Sequence, residues 1–193
     1  MGIKVGIAGG IGSGKTIVCQ VFKVLGIPIY NADLEAKLIM NKSDQVRMAI
    51  IKAFGEESYH DGLLNKEFIS TQVFNDSEKL KQLNSIVHPA VIQAAEDWAE
   101  VQTGPYSLKE AAILFESGSY KKVDYSILVT APIDLRIARV MQRDHVTKEQ
   151  VLARMNSQMS DEEKAKLADF VIINDGITAV IPQVMALHHQ FQK

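Results

Sequence analysis

The chain is expected to fold as an α/β protein around a parallel, doubly wound sheet of five strands, and three observations lead there. An apolar run, Ile3–Ala8, breaks into a glycine-rich turn and then into helical spacing at Val18, Val21, Phe22 and Leu25. Short apolar stretches alternate with helical patterns toward both ends of the chain, whereas the middle reads as helix after helix. Apolar strands linked by helices make a parallel sheet covered on both faces, and a helical stretch inserted between two of its strands makes a separate lobe.

Each element has a local cause. The helix after the glycine-rich turn is stopped by Gly26, and Ile27-Pro28-Ile29-Tyr30 is a short second strand. Pro28 cannot donate to a ladder, which places that strand at an edge or at its own start. From Asp33 to about Thr103 no convincing strand is found. Apolar residues there recur at helical spacing in Leu34/Leu38, Val46/Ile50/Phe54, Phe68/Ile69/Val73, Leu80/Leu83/Val87 and Val91/Ala94/Ala95/Trp98. Gly55, Ser77 and His88-Pro89 divide these helices, proline being suited to a first helical position. Alternation then resumes, with Ala111–Phe115 as a buried strand ending at Glu116 and Tyr125–Ala131 as the next. Pro132 opens a helix through about Arg143, and Thr147-x-x-Gln150 and Ser160-x-x-Glu163 are capping boxes for two more. Phe170–Ile173, ended by Asn174-Asp175-Gly176, is the last strand before a C-terminal helix. The expected organisation is a core of residues 1–32, 104–140 and 166–193, a helical insertion of 33–103 and a helical lid of 141–165.

Composition narrows the function class. The 193 residues carry a net charge of −2, with 47% hydrophobic and 23% charged residues, an ordinary soluble balance. Nothing in that charge suggests a surface for nucleic acid. No apolar stretch approaches the roughly 18 residues needed to span a bilayer, and no signal peptide precedes the first strand, so a cytoplasmic protein is expected. One cysteine, Cys19, excludes a disulfide framework and reads as a small buried hydrophobe.

The chemistry is concentrated in Gly9-Gly10-Ile11-Gly12-Ser13-Gly14-Lys15-Thr16, an ungapped match to the phosphate-binding P-loop at a strand-to-helix junction. Its glycines let the chain curl so that successive N–H groups point at phosphate oxygens, and the following helix adds its positive N-terminal end. Lys15 is a point charge for the β- and γ-phosphates, and the Thr16 hydroxyl is a hard ligand for Mg²⁺. A P-loop does not by itself separate kinase, ATPase and GTPase. Asn41-Lys42-Ser43-Asp44 spells a guanine-reading string, but it follows a helix, and no aspartate is followed by glycine three residues later as a switch requires. The string is a helix boundary with capping residues.

Asp33 lies just beyond the second strand, where ligands of doubly wound sheets bind; it can accept a proton from an attacking hydroxyl, hold a water on Mg²⁺, or cap a helix. Glu116 is a second acid expected at a strand's carboxyl end, able to position a substrate or to close a turn. Arg136, Arg139 and Arg143 are stacked three and four apart on one helix face, an arrangement that suits an anion between them. With Lys148 and Arg154 beyond the break at Asp144-His145-Val146, they fit a lid that closes over a triphosphate and excludes water. His88 has no partner at metal-ligand spacing, and His188-His189 read as a surface helix.

Taken in order, several of these features resemble the dephospho-coenzyme A kinase family across the whole chain. They are the P-loop, Ala32-Asp33, Ile86-Val87-His88-Pro89, Leu114-Phe115-Glu116-Ser117-Gly118, Arg139 and Arg143 with Asp144, Gln158, Ala168-Asp169 and Asn174. The resemblance implies a nucleoside-monophosphate-kinase-like fold and ATP-dependent phosphorylation of the ribose 3′-hydroxyl of dephospho-coenzyme A. It implies Asp33 as base, with Lys15, Arg139 and Arg143 as catalytic partners. ATP is expected on Gly10, Ile11, Gly12, Ser13, Gly14, Lys15, Thr16, Arg143 and Asn174, and the acceptor on Asp33, His88 and Glu116. Asn31 stands where many members have a further aspartate, Lys109–Ala112 replaces a proline-containing run, and Arg136 stands where glutamine is frequent. The rival expectations are a nucleoside- or nucleotide-type kinase with another acceptor, and a nucleotide-dependent switch or binding module.

Overall fold

The computed structural model describes residues 2–74 and 76–193. They form two compact units: residues up to Asn31 together with Ala99–Lys193, and Ala32–Trp98.

The first unit is built on five parallel strands: β1 (Ile3–Gly9), β2 (Ile29–Asn31), β5 (Tyr106–Glu110), β6 (Tyr125–Thr130) and β7 (Phe170–Ile173), in the spatial order β2-β5-β1-β6-β7. The central strand β1 is thus flanked by strands that lie about a hundred residues further along the chain, and its carboxyl end opens into the P-loop. Alternate residues of the sheet, Val5, Ile7, Tyr106, Leu108, Ile127, Val129 and Ile172, pack against Val18, Cys19 and Phe22 of α1 (Lys15–Val24) and Val184 and Phe191 of α9 (Val180–Phe191). β2 is the edge that Pro28 predicted, and the Pro28 carbonyl still accepts the Leu108 N–H at 3.0 Å. At the opposite edge the Gln183 side chain closes the open ladder, accepting from Ile173 N and donating to Ile173 O, both at 2.9 Å. No helix among the described residues is long and apolar enough to cross a membrane.

One strand differs from expectation. Ala111–Phe115 is not a strand but a run of turns, and the strand is Tyr106–Glu110. The apolar run is buried for another reason: Leu114, fully buried, lies against Gly6 of β1, where a Cβ would meet Leu114 Cδ2 at 2.7 Å. The real strand was hidden by Ser107 and Glu110, which are polar yet 6% and 7% exposed. His188 also differs: it is buried, with Nδ1 2.8 Å from the Tyr106 hydroxyl, while His189 is exposed.

The second unit contains α2 (Ala32–Lys42), α3 (Asp44–Phe54), a hairpin of β3 (Tyr59–His60) and β4 (Leu63–Leu64), α4 (Lys66–Phe74) and most of α5 (Ser77–Glu100). Ser43 caps α3 by accepting the Val46 N–H at 3.3 Å, so the guanine-like string is the helix boundary expected. The hairpin was not expected. Its turn is Asp61-Gly62, with φ of 49° and 80°, the two positive values that an Asp-Gly hairpin turn uses. His88-Pro89 does not start a helix: α5 runs through it, and Pro89 only withdraws the N–H that the Ser85 carbonyl would have met. The α5 start is capped by Asp76, whose Oδ1 accepts from Glu78 N and Lys79 N at 3.0 Å, rather than by Ser77.

Between β6 and β7 the first unit carries α6 (Ile133–Asp144), α7 (Lys148–Asn156) and α8 (Asp161–Ala165). Both capping boxes are present, Thr147 with Gln150 and Ser160 with Glu163. α6 and α7 share a small core of Ile137, Val140 and Val151, against which Ile11 of the P-loop packs.

Candidate active site

The P-loop closes on itself through Ser13 N–H to Gly10 O at 3.0 Å, and α1 begins with Ile17 N–H to Gly14 O at 2.9 Å. Gly12 and Gly14 have φ of 81° and 85°, a region that L-residues rarely adopt, and a Cβ on Gly12 would meet Arg136 O at 2.5 Å. The loop, with Ala112, Arg139, Val140, Arg143 and Gln158, walls a cavity of about 590 Å³. The first turn of α1 leaves backbone donors unused by the helix, and these with the helix dipole make the cavity an anion site.

The arginines do not act as one face. Arg136 is buried, donates from Nε to Ile11 O at 2.9 Å, and pairs with Asp161 at 3.0 Å. Its charge is therefore neutralised inside the protein, which removes it from the anion-binding set that the helical spacing suggested. Arg139 donates to Asn174 O at 3.1 Å, and more loosely to Gly12 O and Asn174 Oδ1, both at 3.4 Å. Asn174 is buried at the end of β7 and donates from Nδ2 to Ser13 O at 2.8 Å. Asn174 and Arg139 thus hold the carbonyl side of the loop, leaving its N–H side for a ligand. Arg143 lies at the cavity and is exposed; it meets Asp144 through Nε at 2.7 Å and Nη2 at 2.9 Å, while Asp144 also accepts from Arg154 at 3.1 Å. The Arg143 hydrogen bonds hold the Asp144 carboxyl below the usual carboxylate range, and push the guanidinium further up.

Lys15 Nζ lies 3.4 Å from Glu110 Oε1, and both side chains are largely buried. Asn31 sits beside Glu110 in register and donates from Nδ2 to its Oε2 at 3.0 Å. Burial, followed by the charge of Glu110, pushes the Cys19 thiol up to about 12, so it is an inert neutral group against the carboxylate. Glu110, not Glu116, is the acid at a strand's carboxyl end, and sequence reasoning missed it because the strand was placed five residues too late, at Ala111–Phe115 instead of Tyr106–Glu110. The signal that could have found it is an acid directly before an apolar run. Thr16 is exposed and, with Glu110 and Asn31, lines a neighbouring cavity of about 290 Å³.

Glu116 occupies the turn after Phe115 and faces a fully buried lysine: Lys164 Nζ is 2.8 Å from Glu116 Oε1, which also accepts the Met159 N–H at 3.2 Å. This pair ties the Ala111–Gly118 turns to the segment between α7 and α8. Lys164 was missed, since nothing local marks a lysine whose partner is far along the chain.

Asp33 and His88 belong to the second unit. Asp33 is exposed in the first turn of α2, which follows β2 without a loop, and His88 is half-buried in α5.

A family profile described as Dephospho-CoA kinase matches residues 3–179. The chain is 42% identical over 188 residues to the dephospho-CoA kinase of Bacteroides fragilis, covering 97% of this chain and 92% of that protein. It is 45% identical over 175 residues to that of Salinibacter ruber, covering 89% and 88%. Among solved structures, a Thermus thermophilus protein superposes with a TM-score of 0.81 at 32% identity, covering 98% and 96% of the two chains. Dephospho-CoA kinase from Campylobacter jejuni superposes with a TM-score of 0.69 at 26% identity over the same shares.

Proposed function

The chain belongs to the dephospho-CoA kinase family, and we infer from this and from its site that it transfers the γ-phosphoryl group of ATP to the ribose 3′-hydroxyl of dephospho-coenzyme A. The observation that carries the inference is a complete P-loop, braced from its carbonyl side around a cavity of about 590 Å³, in a chain matched along 97% of its length by a dephospho-CoA kinase.

We assign the roles as follows. The N–H groups of the loop and of the first turn of α1 hold the phosphates. Lys15 leaves Glu110 for the β- and γ-phosphates, a short move since both line the same end of β1 and β5. Arg143, exposed at the cavity, turns from Asp144 to the phosphoryl oxygens as charge develops on them. Arg139 supports this from one turn back, through its hold on Gly12 and Asn174. Asp33 accepts the proton of the attacking hydroxyl, supported by its place in the first turn beyond the carboxyl end of β2. His88 contacts the acceptor. Glu116 serves it indirectly, since its carboxylate already holds Lys164. Residues 33–103 receive the acceptor, and residues 141–165 exclude water from the triphosphate.

The residues present fit a Mg²⁺ ion. The Thr16 hydroxyl and the Glu110 carboxylate are hard oxygens lining one cavity, and no cluster of three acidic, histidine or cysteine side chains suited to a metal exists among the described residues. Such sparse protein ligation suits Mg²⁺, which takes one or two protein oxygens beside phosphates and water. When bound, Mg²⁺ supplies charge neutralisation on the phosphates.

The test is a panel of acceptors with ATP, reading ADP release. Release that depends on dephospho-coenzyme A, and not on nucleosides or nucleoside monophosphates, is the expected result. Slow hydrolysis indifferent to every acceptor would overturn the kinase reading in favour of a switch or binding module.

A further inference from the structure

Gln158 stands between α7 and α8, half-buried, on the wall between the phosphate cavity and a second cavity of about 600 Å³ beside Arg136 and Asp161. Its Oε1 accepts the Ile11 N–H of the P-loop at 3.0 Å. A primary amide carries one acceptor oxygen and two N–H donors on the same carbon, so fixing the oxygen also fixes the direction of the donors. With Oε1 turned to Ile11, Nε2 is the other limb of that amide, and it has no acceptor among the described residues.

The backbone that carries Gln158 is held unusually firmly. Next along the chain, the Met159 N–H is taken by Glu116, which pairs with fully buried Lys164. Asp161 accepts from Thr130 Oγ1 at 2.7 Å and pairs with Arg136, whose Nε is on Ile11 O. The residue at the tip of the P-loop is therefore gripped on both of its backbone polar groups, its N–H by Gln158 and its C=O by Arg136. An amide used here, where a second carboxylate could equally accept from Ile11 N–H, leaves donors beside phosphate rather than a negative charge.

We propose that Gln158 is a phosphate-contacting residue of this kinase: Oε1 stays on Ile11 N–H while Nε2 donates to a phosphate oxygen of ATP in the cavity. The proposal rests on the cavity being the triphosphate site. It makes Gln158 the link through which the segment between α7 and α8 registers the nucleotide.

Two substitutions separate contact from bracing. Gln158→Glu keeps the length and an oxygen for Ile11 N–H, but replaces both donors with a charged oxygen facing phosphate. Gln158→Met keeps the volume and loses both limbs. ATP dissociation constants are measured by calorimetry without acceptor, and melting temperatures alongside. If Nε2 contacts phosphate, ATP binding weakens at least 10-fold in Gln158→Glu and less in Gln158→Met, with Gln158→Glu melting close to the unmodified protein. If Gln158 only braces the loop, the order reverses at high salt, where repulsion from the added charge is screened: Gln158→Glu then binds ATP within twofold of the unmodified protein, and Gln158→Met is the damaged variant. That reversal, or equal loss in both, overturns the proposal. Because the readout omits the acceptor, a failure here is distinguishable from a failure to phosphorylate dephospho-coenzyme A.

Discussion

Lys164→Met removes one partner of the Glu116–Lys164 pair while keeping the side chain's length and volume. Lys164 is fully buried and Glu116 keeps 20% of its side-chain exposure, so the stranded carboxylate regains only part of its hydration. Breaking a buried pair from one side costs about 3–5 kcal/mol. The contact is a 2.8 Å ion pair rather than an aligned hydrogen bond, which puts the expected loss near the lower end, about 3 kcal/mol. For a domain of this size each kcal/mol lowers Tm by about 2–4 °C, so the variant is expected to melt about 6–12 °C lower. Neutralising the other partner as well, Glu116→Gln with Lys164→Met, leaves no buried charge, keeps an acceptor for Met159 N–H, and is expected to recover most of that loss. The assay is thermal unfolding followed by circular dichroism, with KM for both substrates measured at 25 °C. A Lys164→Met melting within 2 °C of the unmodified protein refutes the reasoning, as does a double variant that melts below the single one.

Lys15→Met is expected to abolish turnover while the protein stays folded, because Asn31 still donates to Glu110 and the phosphates lose the charge that follows them into the transition state; activity near that of the unmodified enzyme would contradict it. Cys19 is expected to resist iodoacetamide in the native protein and to react once unfolded, since its thiol is raised from 9.0 to about 12. The raised value also has a sign for stability: the unfolded thiol ionises first, so Cys19 favours the fold fully below pH 9 and less as pH rises from 9 toward 12. Equal labelling rates with and without denaturant would remove both expectations.

What could be read from the chain, and what could not, divides by the range of the cause. The P-loop, the capping boxes at Thr147 and Ser160, the cap at Ser43 and the end of the last strand at Asn174 are written in consecutive residues, and each lies where expected. The Asp61-Gly62 hairpin was equally local, but its two-residue strands were too short for alternation to register. Strand β5 failed because Ser107 and Glu110 are polar yet buried, Glu110 against Lys15 and Asn31, counter to the rule that buried strands are apolar. The apolar Ala111–Phe115 run misled because its burial answers a missing side chain at Gly6, a hundred residues away. The candidate site shows the same split. Lys15 and Thr16 were legible from spacing, and the arginines from their period. Asp144 as the partner of Arg143 is its sequence neighbour, whereas Asp161 for Arg136, Asn174 for Arg139 and the Lys164 beneath Glu116 were set by the tertiary fold.

Asp33→Asn bears most directly on how the kinase works, since it keeps the size of a side chain in the first turn of α2 while removing the charge that would draw the proton. Steady-state kinetics with ATP and dephospho-coenzyme A should show kcat lowered by about 10²–10⁴-fold, the usual size of a general-base contribution. ATP affinity should be nearly unchanged, and stability lowered by no more than the ~1 kcal/mol of a lost negative charge in the first turn of a helix. A variant that folds, binds ATP and retains near-normal kcat would contradict the assignment of Asp33 as base and leave it an acid in the first turn of α2.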